Sequence, residues 1–294
     1  DVYKRQDMGL EAAGMTTVFQ CEIDRHARAV LDYHWPTVPK WDDVTTLTGA
    51  YILEQAGGVD LVAWGSPCQD LSLAGKRAGL SGERSGLFHE GVRIIKELRE
   101  LSNGKYPTWS VWENVVGALS SNGGADFGEV LHQMDEAGAC FSEWAVLDAQ
   151  YFGVPQRRRR VFVVSCFNSG IAAGCPEPLL PVSQSSISDD RERTLALFYS
   201  THGVQDQHQL GIAPPTKAVS AVCVVGPSLP PRKLTPVEHE RLMGWPDNHT
   251  AVGVNGPISD TNRYKMCGNG VASPVAAWIG KHLMAVRSDA ENTE

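Results

Sequence analysis

The run Val59-Asp60-Leu61-Val62-Ala63-Trp64 stops at Gly65-Ser66-Pro67, and Cys68 and Gln69 follow at once. A short, largely apolar run ended by glycine and proline predicts a buried strand that breaks into a turn. A thiol just past such a strand lies at the carboxyl edge of a sheet, where α/β folds bind ligands and do chemistry. Free cysteine usually packs into cores, so Cys68 taken alone reads as core. Two further strand-and-turn units reverse that reading: Trp112-Glu113-Asn114-Val115 and Gln156-Arg157-Arg158-Arg159-Arg160. Cys68, Glu113 and Arg158 are spaced 45 residues apart, close to the length of a strand, a crossover helix and the next strand. Three loops on one sheet edge are thereby expected to bring a thiol, a carboxyl and a guanidinium together.

Residues 8–165 alternate helical and strand-like segments, which predicts an α/β fold with a doubly wound, mostly parallel sheet covered by helices. Thr16–Cys21, Thr108–Trp112, Phe141–Leu147 and Arg160–Cys166 read as strands, the last two separated by the turn Gly153-Val154-Pro155. Ser85–Leu101 carries Leu87, Phe88, Val92, Ile95 and Leu98 at helical spacing. Between residues 167 and 231 the composition shifts to Pro, Ser and Gly without sustained periodicity, the mark of a small loop-rich lobe. Thr235-Pro236-Val237-Glu238 then opens a helix, with Thr as N-cap, Pro in the first turn and Glu three residues after the cap. Residues 270–286 read as a last helix. The chain thus divides into 1–166, a lobe over 167–231, and a return to the first domain over 232–294.

At 294 residues and 42% hydrophobic, the chain can bury one large core and a smaller lobe. No run reaches the roughly 18 apolar residues of a membrane span, and no leader pattern opens the sequence; a soluble, cytoplasmic protein is expected. Seven cysteines without a Cys-x-x-Cys pair argue against both a disulfide framework and structural zinc. A net charge of −8 is not that of a basic nucleic-acid binder. Positive charge is instead local, at Arg157–Arg160, Lys76, Arg77, Arg84, Arg232 and Lys233, and such a cluster reads either as a solvated face or as a phosphate-facing cleft.

Ser66-Pro67-Cys68-Gln69, Glu113-Asn114-Val115, the Gln-x-Arg-x-Arg of Gln156, Arg158 and Arg160, Arg232-Lys233-Leu234-Thr235-Pro236-x-Glu238 and Gly268-Asn269-Gly270-Val271-Ala272 stand in register along the chain. Together they resemble the DNA cytosine-C5 methyltransferases, most closely the modification enzymes of bacteria and phages. The resemblance implies a Rossmann-like methyltransferase domain, S-adenosyl-L-methionine as cofactor, and double-stranded DNA as substrate. It further implies a target-recognition region over 167–231, monomeric action, and a cognate restriction endonuclease as functional partner.

By that resemblance Cys68 is the nucleophile that adds to C6 of the cytosine, making C5 reactive toward the methyl group. A thiol of pKa about 8.5 is mostly protonated at neutral pH, so a nearby cation is needed. Arg158 is expected to supply that field and to hold the base's O2, with Arg160 bracing the site or a phosphate. Glu113 matches the carboxyl that meets N3, and it must be protonated to donate there. Glu22 resembles the acid on the ribose hydroxyls and Asp43 the residue at the adenine amino group. Ile23, Pro67 and Leu87 would line the adenine pocket, with Asn269 and Val271 at the methionine end. Gln69, Ser72, Arg84 and Gln156 match DNA-contacting positions around the flipped-out base. Sequence readers such as Gln205, Gln207, His208 and Lys217 cannot be ranked.

The family opens with a strand and a Phe-x-Gly-x-Gly-Gly loop, whereas residues 1–7 read Asp-Val-Tyr-Lys-Arg-Gln-Asp. The first strand and glycine loop are therefore expected to be missing or replaced, by truncation or by loss of cofactor binding, with truncation preferred. Either way S-adenosylmethionine is expected to bind poorly. Two alternatives stay open: a catalytically impaired DNA-binding homologue, and a tRNA cytosine-C5 methyltransferase, a branch that carries Pro-Pro-Cys where this chain has Ser66-Pro67-Cys68.

Overall fold

The computed structural model describes residues 6–66, 87–176, 178–180, 197–200, 222–226 and 229–291. In chain order α1 (Gln6–Ala12), β1 (Gln20–Cys21), α2 (Arg25–His34), β2 (Lys40–Trp41) and α3 (Gly49–Ala56) come first. The central elements follow: β3 (Leu61–Gly65), α4 (Leu87–Leu101), β4 (Trp109–Val115), α5 (Ala125–Glu136), β5 (Phe141–Asp148) and β6 (Arg159–Cys166). Then come α6 (Ser169–Ala173), β7 (Leu197–Ser200), β8 (Val222–Gly226), β9 (Leu229–Lys233), α7 (Pro236–Leu242), β10 (Val252–Gly253), β11 (Gly256–Pro257), α8 (Asp260–Asn269) and α9 (Ser273–Glu291).

The central sheet has the order β3-β4-β6-β5. β3 pairs parallel with β4, and β6 pairs antiparallel with both β4 and β5. β3, β4 and β5 therefore share one direction and β6 alone reverses, so the sheet is mixed. The cause lies in the link between β5 and β6: the ten residues 149–158, opened by a 3₁₀ turn at Ala149–Tyr151, are too few for a crossover helix. This reversal matters for the site, because it puts the start of β6 at the same edge as the ends of β3 and β4.

Alternation along β4 and β6 splits the core into two layers. On one face Trp109, Val111, Phe162 and Val164 pack with Val275, Ile279 and Leu283 of α9. On the other, Trp112, Val161 and Val163 pack with Phe88, Val92 and Ile95 of α4 and Val130 and Met134 of α5. The stripe expected on α4 is the buried one, and it ends on Leu98 in a third cluster with Cys21, Leu47 and Ile52.

The strand expected over Thr16–Cys21 forms a ladder only at Gln20–Cys21, which pairs with β2 and not with the central sheet. Met15, Thr17 and Phe19 are half-buried while Thr16 and Val18 are exposed, the alternation of a strand without its partner. β3, expected to be buried, is an edge strand among the described residues; only Trp64 in it is fully buried. A cavity of about 410 Å³ separates these two segments.

The last helix starts at Ser273, three residues later than expected, because Gly270 ends α8 and its own N–H bonds the carbonyl of Met266. The capping box at Thr235 and Glu238 forms as read. Beyond residue 166 the chain stays on the main body for a stretch: Phe167, Leu179 and Leu180 are core residues, and the Glu143 carboxylate accepts the N–H groups of Leu179 and Leu180 at 2.8 Å each. Further on, β7, β8 and β9 form a three-stranded antiparallel sheet where loop was expected. Gln205, Gln207, His208 and Lys217 lie outside the described residues. Among the described residues no helix is long and apolar enough to cross a membrane.

Candidate active site

β3 delivers the chain to Ser66; Pro67, Cys68, Gln69, Ser72 and Arg84 lie outside the described residues. The approach to the cysteine is nonetheless fixed. Gly65 stands opposite Glu113 in the β3–β4 ladder, and a Cβ at Gly65 would sit 3.1 Å from the Glu113 carbonyl oxygen and 3.4 Å from Oε2. The absence of a side chain there lets the Glu113 carboxyl lie against β3. Ser66 is buried, and its Oγ accepts from Asn114 Nδ2 at 3.0 Å and from Trp112 Nε1 at 3.3 Å. Gly65 and Ser66, the last described residues before Cys68, are thus held beside Glu113 and Asn114.

Glu113 is 6% exposed and forms an ion pair with Arg160, Nε to Oε1 at 2.9 Å. The register explains the meeting: Arg160 faces Val115, two residues on from Glu113, so the two side chains are diagonal neighbours on one face of an antiparallel pair. Burial pushes the Glu113 carboxyl above the usual carboxylate range, against the opposing pull of the Arg160 and Arg158 guanidiniums. The arrangement yields an acid that holds its proton above the usual carboxylate range, with a cation beside it.

Pro155 to Arg159 alternate between exposed and buried: Arg157 and Arg159 face solvent, while Gln156 and Arg158 point inward. Arg158 was expected to be the guanidinium at the reacting base and Arg160 a brace; Arg160 pairs with Glu113 directly, and Arg158 acts on the same carboxyl through its charge. Arg158 is 3% exposed, and its Nη2 donates to the carbonyl of Gly268 at 3.0 Å and to that of Gly270. Its backbone N–H donates to Asp148 Oδ1 at 2.8 Å. Arg158 therefore ties the start of β6 to the turn between α8 and α9, and Arg160 is the one that reaches Glu113. The physical reason is the end of the ladder: Arg158 sits just before β6, where the neighbouring surface is the Gly268–Gly270 turn. Gln156, expected at the DNA, is fully buried, because the turn at Val154-Pro155 folds it inward, so it is placed as an interior residue.

Among the residues expected at the cofactor, Glu22 follows β1 and is 1% exposed. Its Oε1 accepts the N–H of Asp24 at 2.7 Å. Ile23 beside it is 64% exposed, a large apolar side chain of the kind a flat aromatic ligand would cover. The Asp43 carboxylate accepts the N–H of Thr45 at 2.9 Å and its hydroxyl at 2.8 Å, and these bonds hold it below the usual range. Leu87 is half-buried and lines the cavity beside β3. Lys265 Nζ bonds Asp24 Oδ2 at 2.7 Å, which brings α8, and with it the half-buried Asn269, beside the Glu22 loop. Val271, expected at the methionine end, is packed in the core at 3% exposure; the chain turning from α8 into α9 points it inward. An acid, an exposed apolar residue and a second acid along one edge fit a ribose-linked adenine.

Several supporting residues escaped sequence reading. Asp148 and the carbonyls of Gly268 and Gly270 hold Arg158; an acid at the end of an apolar strand was the only available signal. The other described cysteines are poor nucleophile candidates where burial dominates: Cys166 is pushed up to about 11, and Cys175 is also raised by burial.

A model of the family described as C-5 cytosine-specific DNA methylase matches residues 4–197 and 191–285. The Type II methyltransferase M2.BsuMI of Bacillus subtilis (strain 168) is 32% identical over 295 residues, covering 94% of this chain and 72% of that protein. The Type II methyltransferase M.HpaII of Haemophilus parainfluenzae is 27% identical over 320 residues, covering 94% of this chain and 85% of that protein. Among solved structures, the S. pombe Dnmt2 methyltransferase matches with a TM-score of 0.63 at 16% identity, over 95% of this chain and 94% of that one, a likeness of fold.

Proposed function

This chain belongs to the C-5 cytosine-specific DNA methylases, and from that premise we propose how its own residues divide the work of methylating C5 of cytosine in DNA. S-adenosyl-L-methionine, when bound, supplies an electrophilic methyl group. Cys68, carried on the turn after β3, adds as thiolate to C6 of a flipped-out cytosine, so that a C–S bond forms and C5 becomes electron-rich. Glu113, kept protonated by burial, donates to N3 and disperses the charge that the addition places on the ring. Arg160, 2.9 Å from Glu113, holds that carboxyl in line and offers its remaining N–H groups to the base. Once C5 carries the methyl group, its proton passes to solvent, N3 returns its proton to Glu113, and the C–S bond breaks to restore the aromatic ring and free Cys68 as thiolate. Glu22, Ile23, Asp43, Leu87 and Asn269 hold the cofactor along the neighbouring edge, with Pro67 beside the thiol.

The observation that carries this reading is the buried carboxyl of Glu113, raised by burial above the usual carboxylate range, opposite Gly65 and beside Arg160. Gln69, Ser72 and Arg84 contact the DNA backbone or fill the gap left by the base, and the target-recognition region expected over residues 167–231, which includes β7 and β8, reads the sequence. The protein acts as a monomer in the cytoplasm of a bacterial or phage-infected cell, alongside an endonuclease of the same specificity. DNA bearing 5-fluorocytosine is the decisive substrate, since fluorine at C5 blocks the final elimination. A denaturation-resistant protein–DNA adduct is expected, and none with Cys68→Ala; an undiminished adduct in the variant would falsify the nucleophile. The open edge of β3 favours a second reading, a DNA-binding homologue impaired in cofactor capture. That reading is supported if the unaltered protein shifts duplex DNA but yields neither adduct nor bound S-adenosylmethionine.

A further inference from the structure

β3 and β4 exchange two indole bonds on one face of the sheet. Trp64 and Trp112 stand opposite each other in the parallel ladder, and both are buried in the cluster that holds Phe88. Trp64 Nε1 donates to Ser110 Oγ at 2.9 Å, two residues before Trp112, and Trp112 Nε1 donates to Ser66 Oγ at 3.3 Å, two residues after Trp64. The first bond lies within the ladder. The second reaches past its end, because Gly65 is the last residue of β3. Trp112 is wholly buried and meets the Phe88 ring edge-on with centroids 5.9 Å apart, so its N–H is held in one direction. Ser66 Oγ also accepts from Asn114 Nδ2 at 3.0 Å, and the two donors use both lone pairs of the hydroxyl oxygen. Successive strand residues face opposite sides of a sheet: Gly65 and Glu113 lie on one, Ser66, Trp112 and Asn114 on the other. The chain is thus gripped on the face away from the acid, two residues before Cys68.

We propose that the Trp112 indole N–H, acting through the Ser66 hydroxyl, is a positioning group for the nucleophile: it fixes where the backbone leaves β3 and so sets the approach of Cys68 to C6 of the base. The inference rests on the methyl-transfer reading and adds to it a residue that touches neither substrate nor acid. An apolar ring at 112 would fill the same core and leave Ser66 with one donor fewer, so the work is done by the N–H and not by the bulk. Burial makes the bond obligatory, since an indole N–H without Ser66 would be left unpaired in the core; ring and serine therefore hold each other in place. A displacement of about 1 Å at a reacting atom can cost about 10²-fold in rate, which makes the end of β3 a sensitive point.

The test compares Trp112→Phe, Ser66→Ala, the two together and Trp64→Phe in the full chain, the last removing the twin bond to Ser110 as a control inside the same core. The probe is a pool of random-sequence duplexes bearing 5-fluorocytosine, at saturating S-adenosyl-L-methionine. Single-turnover adduct formation is expected to slow by about ten-fold or more in Trp112→Phe and in Ser66→Ala. The double variant should be no slower than Ser66→Ala, as coupled residues require, and Trp64→Phe should stay within about two-fold of the parent. Affinity for the pool should stay within about two-fold in all four, since none of these side chains is assigned a DNA contact. A parental adduct rate in Trp112→Phe, a double variant that multiplies the two losses, an equal slowing by Trp64→Phe, or a loss confined to DNA affinity overturns the assignment. Ser66→Ala leaves every core ring in place, so if Trp112→Phe does not fold, a parental adduct rate in Ser66→Ala overturns it instead. Adduct in the parent with unmoved variants is failure of the pair alone; absence of adduct in the parent is failure of the methyl-transfer reading, and the pair falls with it.

Discussion

Arg160 Nε lies 2.9 Å from Oε1 of a glutamate that is itself nearly sealed from water. Two tendencies meet in that contact: burial favours the neutral acid and the guanidinium favours the anion, and burial is the larger. A carboxyl so placed can give a proton to a base nitrogen and take it back without leaving its partner.

Glu113→Gln is expected to slow single-turnover methylation by about 10²–10⁴-fold, the usual worth of a positioned acid, while DNA affinity stays within a few-fold. The pH dependence carries the sign of the shift. The donating form exists below the raised pKa of Glu113, so the rate falls as pH climbs through it, whereas ionisation of the Cys68 thiol makes the rate rise with pH. Rapid-quench rates across pH should show both limbs in the parent and only the rising limb in Glu113→Gln. The same raised pKa means the folded protein binds this proton more tightly than the unfolded chain. Its contribution to stability is therefore full below the unfolded value of 4.5 and is lost as pH rises toward the folded one.

Arg160 and Arg158 should separate cleanly. Arg160→Ala removes the cation at the acid, with an expected loss of about 10²–10³ in the chemical step and little change in the KM for cofactor. Arg158→Ala frees the Gly268 and Gly270 carbonyls. It should cost about 1.5–3 kcal/mol of stability for the lost charge-assisted bonds and raise the KM for cofactor through Asn269. Urea melts and steady-state kinetics on both variants check the division; identical profiles would sink it.

Part of this arrangement was readable in advance. The outward side chains of Arg157 and Arg159 follow from the two-residue period alone; the stripe on α4 and the cap at Thr235 followed from equally local rules. The bonding of Arg158 to Gly268 and Gly270 was not readable, because those carbonyls lie 110 and 112 residues away in sequence. The reversal of β6 hung on a connection only slightly shorter than a crossover, and a count of residues does not resolve that difference. Gln156 and Val271 carry motif positions yet point inward, since a motif marks a place in the chain and leaves the direction of each side chain to the turn around it.

Gly91 in α4 has no room for a methyl group: a Cβ there would come within 2.3 Å of the Trp64 ring. Trp64 cannot yield easily, being stacked on Phe88 with centroids 5.3 Å apart and bonded through Nε1 to Ser110 Oγ at 2.9 Å. Gly91→Ala should gain less than about 1 kcal/mol of helix propensity and lose about 1–3 kcal/mol to overpacking. A net destabilisation by urea melt, with a changed tryptophan spectrum, is the expected outcome.

Glu240 is fully buried. It accepts the N–H groups of Asn248 and Thr250 at 2.8 Å each and pairs with Arg263 Nη2 at 3.1 Å. Arg263→Met strands the carboxylate and should cost about 3–5 kcal/mol. The double change Glu240→Gln with Arg263→Met should recover part of that loss, and chemical denaturation of all four proteins reads the coupling directly.

The hold of Arg158 on Gly268 and Gly270 joins two points of the chain that bracket residues 181–233. With that strut in place, the stretch from 181 to 233 can be treated as an excursion that departs from and comes home to a frame already closed. Lengthening, shortening or exchanging the excursion leaves the acid, its cation and the strand beneath them undisturbed. On the proposed reading of that stretch as the sequence reader, a catalytic body built this way would acquire a new target by trading one insert for another.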